Sequence, residues 1–238
     1  MIFWFRLYNE QEMKNKEKII QYLIMLLGLI LLCMGIALLA KSGLGASPIS
    51  SIPLALSLIA PRLTLGKYII MINSLLVFSQ VVLLWGKPGE AIGRSGGKAL
   101  PWHEVIIQIL LAIITGYLVD LSLFLYRGIP LTSYPSKLLA VLIACWLMGT
   151  GIFIQLRANV AMAPGDAFSR AASSFTHQPY GKVRVIADSV MVAIALVLCL
   201  VFLHKPAAVR EGTVLCALLT GNIVKINQKL ISGKELNR

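Results

Sequence analysis

The sequence predicts an all-α membrane protein: six transmembrane helices as two inverted three-helix repeats, each with a short non-spanning helix after its first span. Three observations point there. The composition is too apolar for a soluble domain, the apolar runs have bilayer length, and one phrase occurs twice, as KSGLGASPIS at 41–50 and RANVAMAPGD at 157–166.

The 238 residues are 58% hydrophobic and 13% charged, with a mean hydropathy of +0.81. Soluble domains carry about 25% charged residues, so the lipid bilayer is the partner this chain is built for. The net charge of +12 does not point to nucleic acid, because no compact basic helix or basic–aromatic stripe accompanies it. Its cations flank the apolar runs instead, as membrane topology requires. Cys33, Cys145, Cys199 and Cys216 all fall inside apolar segments without metal-ligand spacing, and read as small packing residues.

A spanning helix needs ~20 mostly apolar residues. The first run, 19–40, is too long for a signal-peptide core and follows mixed charge. It reads as a retained helix, with residues 1–18 as a cytoplasmic N-terminal segment. Further runs cover 67–86, 104–126, 138–156 and 183–203. A sixth, 208–230, is interrupted by Asn222, Lys225 and Asn227. The link KPGEAIGRSGGKALP at 87–101 reads as a flexible cytoplasmic connection without a phosphate-cradling pattern. Two other links hold short helices. One starts at Ser51 and Pro53 before LALSLIA, and the other has Asp166 as N-cap before AFSRAASSF. Eight or nine helical residues reach only ~12–14 Å, well short of the ~30 Å hydrocarbon core.

Six spans put both termini on one side. That side gathers 15 of the Lys and Arg residues and the other side 7, so both termini are expected in the cytoplasm of a bacterial cell, the chain crossing its inner membrane. Loop 41–66 then faces outward and loop 157–182 inward.

Setting Pro48 on Pro164 aligns Gly35 with Gly151, Lys41 with Arg157 and Ser50 with Asp166. One residue of slippage later, LGK at 65–67 meets YGK at 180–182, and Asn73 meets Asp188. Thr115–Gly116 meets Thr220–Gly221. The chain thus reads as a single membrane domain with repeat one at about 19–127 and repeat two at about 137–231. Three spans per unit make the second copy enter from the opposite face, an architecture common in secondary transporters.

GIALLAKSGLGASPISSIPLALS followed by LTLGKYIIMIN, echoed by GIFIQLRANVAMAPGDAFSRAAS followed by QPYGKVRVIAD, resembles the YczE/YitT-type bacterial integral membrane proteins. The resemblance covers about residues 20–230 and implies a six-span inner-membrane fold of undefined activity. Ser50 stands where that pattern is often acidic.

Ionisable groups inside hydrocarbon need a partner or a wet cavity. Asp120, in LVDLSLFLY, is read either as half of a buried pair with Lys225 or as a cation- or proton-binding group. Asn73 and Asp188 are expected two turns into their spans, with Arg184 on the same helix face as Asp188. Lys41 and Arg157 end their helices, complementing the helix dipole or lining an anion vestibule with the short-helix N-termini, which Asp166 would weaken in copy two. Gln80, Gln155, Thr115 and Thr220 are expected as interhelical hydrogen-bond glue. His103, His177 and His204 sit near span ends without a metal or catalytic constellation, so neither a cofactor nor an enzyme is expected. The expectation is a small-solute or ion permease with Asp120, Asp188 and Asn73 along its path. Its rival is a scaffold or binding subunit that meets a second copy or a membrane partner.

Overall fold

The computed structural model of the chain describes residues 2–84, 102–158, 160 and 162–235. In order these form α1 (Ile2–Ser42), α2 (Pro48–Ile59), α3 (Leu65–Leu84) and α4 (Trp102–Leu125), which closes on a 3-10 turn at Tyr126–Gly128. Then come α5 (Tyr134–Ala158), α6 (Pro164–Thr176), α7 (Tyr180–Leu203) and α8 (Glu211–Glu235). The described residues contain no strand.

Among the described residues five stretches are long and apolar enough to cross a bilayer: Glu17–Ser42, Leu65–Leu84, Glu104–Gly128, Tyr134–Ala158 and Tyr180–Leu203. Helices of this kind mark a membrane-embedded protein. The sixth expected run is a helix of 25 residues, but it does not join those five. Asn222, Lys225, Asn227 and Lys229 dilute its apolar character. Residues 2–18, expected as a separate segment, continue the α1 helix. The end of the second run at 85–86 and the link 87–101 lie outside the described residues. Phe78, Ile106, Trp146 and Phe202 stand exposed on the outer faces of the bundle, where only hydrocarbon can cover them without cost.

The centre is the crossing of α1 with α5. A Cβ added to Gly28 would lie 2.8 Å from the Gly151 carbonyl oxygen, and one added to Gly151 would lie 2.6 Å from that of Gly28. Two helical turns on, a Cβ on Gly35 would lie 2.8 Å from the Ala144 carbonyl oxygen. The numbering falls on one helix as it rises on the other, so the two run antiparallel. In lipid, small residues of this kind let backbones approach and collect dispersion energy. Cys33, Ala37, Ala144 and Cys145 complete this buried seam.

The other helices attach in matched ways. On one side α4 packs on α1, and on the other α8 packs on α5. Cys33 Sγ lies 3.7 Å from the Thr115 carbonyl. Asn227 Nδ2 donates to Thr150 Oγ1 at 3.3 Å, and Ile223 fills the space that a Cβ on Gly149 would need. Further out, α2 packs on α7 and α6 on α3. The match ends at the last pair, for α3 packs along α4 while α7 does not pack along α8.

Both short helices begin earlier than their sequence signals suggest. Pro48 and Pro164 occupy the first turn, where the missing N–H costs nothing. Extended Ser47 and Ala163 precede them. Asp166 therefore belongs to the first turn of α6 and is not its N-cap, and Pro53 lies inside α2. Between α1 and α2 the chain reverses through Gly43 (φ 68°) and Gly45 (φ 120°). This elbow docks on the start of α8, with Gly212 N donating to the Leu44 carbonyl at 2.8 Å and Ala46 N to Thr213 Oγ1 at 3.2 Å.

The elbow carries the chain inward. Ser51 Oγ donates to the carbonyl of Met191, near the middle of α7. At the other end of α2, the Tyr68 hydroxyl donates to the Ala60 carbonyl at 2.8 Å, beside the start of α3. Hence α2 runs from mid-bundle to one end. The α6 helix leaves the middle in the opposite sense, burying Ala171 against Leu84 at the last turn of α3. Both short helices therefore fold back into the bundle. His177 and His204, with φ of 54° and 53°, end α6 and α7 as left-handed C-caps, a conformation His tolerates better than β-branched residues.

The crossing sets the stability. Gly28→Leu is expected to cost about 1–3 kcal/mol through overpacking and to lower the thermal unfolding midpoint of detergent-purified protein. Gly221→Leu, where a Cβ meets open space, should leave the midpoint within experimental scatter.

Candidate functional site at the junction of the short helices

The first turns of α2 and α6 meet in the interior. A Cβ on Gly165 would overlap Ile49 Cδ1, so this glycine makes room for the opposing side chain. Around the contact, Ser47, Ser50 and Ser51 are buried. Their hydroxyls are engaged: Ser47 bonds Ser50 through the two Oγ atoms, and Ser51 Oγ shares its proton between the Pro48 carbonyl at 2.6 Å and the Met191 carbonyl at 3.3 Å. Two helix N-termini thus converge, each contributing roughly half a positive charge. In this conformation Ile49 closes the space between them.

Beside the junction, between α3 and α7, lies a cavity of about 470 Å³. Ile72, Leu75 and Leu76 line it from α3, facing Ala187, Val190 and Met191 from α7. The register that pairs Asn73 with Asp188 also pairs Ile72 with Ala187, Leu75 with Val190 and Leu76 with Met191. The register of the two prolines pairs Ile52 with Phe168, which line the cavity from α2 and α6. The lining is apolar apart from Thr176 and Gln178, where the chain turns from α6 to α7.

An ion network flanks the cavity on the adjoining face of α7. Arg184 pairs with Asp166 of α6, and its Nε lies 3.3 Å from Asp188 Oδ2. The Tyr180 hydroxyl donates to Asp166 Oδ1 at 3.3 Å. These side chains are about a third exposed (30% for Arg184 and 32% for each aspartate). Asp166 and Asp188, singled out for different reasons, are thus joined by Arg184. The counterparts Ser50 and Asn73 carry no charge. Asn73 is half-buried, next in sequence to the cavity residue Ile72.

Asp120 is elsewhere. Its Oδ1 accepts the Gly66 N–H at 2.8 Å and its Oδ2 the Thr64 hydroxyl at 2.5 Å. Thr64 Oγ1 in turn accepts the Lys67 N–H at 3.3 Å. The carboxylate therefore caps the N-terminus of α3 from the neighbouring helix, where the dipole favours negative charge. Among the described residues no ion pair joins it to Lys225. Close approach makes the bond reachable, because a Cβ on Gly66 would overlap the Gly116 carbonyl and lie 2.6 Å from Asp120 Cγ.

Lys41 Nζ donates to the Tyr126 carbonyl, tying the C-terminal end of α1 to that of α4, where its charge complements both helix dipoles. Arg157 stands exposed in the last turn of α5. The expected hydrogen-bond glue differs in detail. Thr115 Oγ1 turns back to the Leu111 carbonyl of its own helix, and Thr220 approaches Cys216 on α8. Gln80 is buried with its Oε1 unpartnered, as is the Oε1 of Gln108. Thr64, Tyr180, Ile49 and Gly165 escaped the sequence reading because each acts through a residue distant in the chain. The signal for the last two was available, since they are repeat equivalents beside the two prolines.

The fold and its long apolar helices define an all-helical, membrane-embedded protein. Residues 19–229 match the family described as "Family of unknown function (DUF6198)", and the chain belongs to that family. The match neither names nor excludes the YczE/YitT-type likeness. The chain is also similar to "Uncharacterized protein YyaS" of Bacillus subtilis (strain 168), with 26% identity over 213 residues covering 89% of this chain and 94% of that protein. No solved structure matches the chain.

Asp120→Ala should cost about 1–3 kcal/mol, because it leaves the buried start of α3 with an unmet N–H. Thermal unfolding in detergent checks this. Thr64→Ala should reproduce a part of the loss, and the double variant should fall short of the sum because the two groups act as one cap.

Proposed function

We propose that the chain is a small-solute permease of the bacterial inner membrane, working by alternating access between two inverted repeats. The observation that carries this reading is the cavity between α3 and α7, lined by repeat-equivalent residues from both halves. Two further contacts support it. The Gly28–Gly151 approach maps onto Ala144–Gly35 when the repeats are exchanged, and Ile49 exchanges with its own contact partner Gly165. Transporters of inverted-repeat design bind their solutes at such an interface, near discontinuous helices.

In this reading α8 is the sixth span. Its 25 residues reach ~37 Å, and its polar residues face the solute path or the membrane surface. The termini lie in the cytoplasm. The two halves are caught in different states. In copy one Gly66 and Gly116 touch and Asp120 clasps α3 to α4. Their equivalents Gly181 and Gly221 have open space around them. Closing α7 on α8 while α3 leaves α4 would invert the access. The Asp166–Arg184–Asp188 network is the group able to take up a cation or proton, the energy source for a chain whose sequence holds no ATP-binding motif.

The closed contact of Ile49 on Gly165 favours the second reading, a non-transporting scaffold or binding subunit. Cross-linking separates the two. In a background free of native cysteines, Lys67→Cys with Tyr117→Cys should cross-link at rest, and Lys182→Cys with Asn222→Cys only in a minority state. If the second pair never forms in liposomes under any ion gradient, alternating access is wrong. For a solute found by thermal-shift screening, Asp188→Asn should slow uptake about tenfold or more, the equivalent of one lost charge-assisted bond. Unchanged flux would remove Asp188 from the path.

A further inference from the structure

We propose that the cavity between α3 and α7 holds one acyl chain of an anionic lipid, admitted sideways from the leaflet that meets the α6–α7 turn. The inference rests on the permease reading only for its membrane setting, and narrows the ligand to a membrane amphiphile.

Three features argue for such an occupant. The first is chemistry. At about 470 Å³ the cavity has the size of a ligand site, but its body offers no hydrogen bond. A polar solute would lose its water there without compensation. Second, the cavity opens to the side. Leu75 and Val190 line it from opposite helices, yet are 56% and 51% exposed. In a membrane-embedded chain the space they are exposed to is hydrocarbon, so the cavity is continuous with lipid tails. Its extent along α7, from Val183 to Ile194, is ~16 Å. That is the depth of one leaflet, half of the ~30 Å core.

The third feature is the end. Polar groups occur only at Thr176 and Gln178, beside the α6–α7 turn. Lys182 Nζ reaches Gln178 Oε1 at 3.2 Å, so the cation stands at the mouth and is bonded to a neutral amide. Both nearby aspartates, Asp166 and Asp188, are engaged by Arg184 instead. A phosphate headgroup at the mouth would meet Lys182 as its tail lies against Ala172 and Ala187, whose small side chains leave the room.

The test uses the full chain in phosphatidylcholine nanodiscs containing a trace of phosphatidylglycerol spin-labelled on its acyl chain. Electron paramagnetic resonance should detect a motionally restricted lipid, in excess over the same experiment with labelled phosphatidylcholine. Ala187→Trp should abolish that excess by filling the cavity. Lys182→Gln, at an exposed turn that the fold does not depend on, should weaken it about five-fold, the effect of one basic residue at a membrane surface. Equal restriction of the two lipids overturns the proposal, as does an excess indifferent to Lys182→Gln. Stabilisation by a water-soluble metabolite that Ala187→Trp blocks also overturns it. The outcome is separable from that of the permease reading. Lipid binding without flux upholds this inference and removes transport, whereas flux of a polar solute without lipid binding does the reverse.

Discussion

Everything else in the molecule hangs on the antiparallel approach of α1 and α5. Two glycines from one helix lie against the backbone of a glycine and an alanine on the other, with the Met148 side chain packed over Gly35 as well. In lipid there is no hydrophobic force between helices, so close contact over small residues must supply the association. That seam sets the depth at which α1 and α5 end. It therefore sets where the Gly43–Gly45 elbow turns inward and where α2 and α6 can meet.

A bilayer tolerates non-helical backbone only where protein or water surrounds it. The elbow before α2 meets that demand through Thr213 and Gly212 of α8, and the start of α3 through Asp120 of α4. Both of these breaks in the helical ladder are thus closed by a helix from elsewhere in the chain. This explains why an acidic residue inside a span can have a structural partner that is no cation at all. Asp120 meets a helix N-terminus, which offers N–H donors and partial positive charge together.

The two segments that align in the sequence, copy one and copy two, differ in chemistry. Where copy two carries Asp166, Arg184 and Asp188 in one network, copy one carries Ser50, Ile69 and Asn73. Gly66, Gly116 and Asp120 join α3 to α4, whereas Gly181 and Gly221 have open space around them and Lys225 aligns in sequence with Asp120. The same asymmetry leaves the cavity between the halves apolar, with its polar groups at one end.

Much of this was legible in the linear chain. Apolar run length located five spanning helices, and the repeated proline located both short ones, because these depend on local composition and on proline's missing N–H. The start of α6 was misjudged because Asp166 is a good N-cap in isolation, and its real partner, Arg184, arrives only with α7. The sequence by itself thus determined the membrane setting and the helices, which follow from local composition along the chain. Only the tertiary structure decided that Asp120 caps α3, that Ile49 closes on Gly165, and that the space between α3 and α7 is apolar. Those outcomes depend on which backbones come within bonding distance, and side-chain periodicity carries no record of that distance.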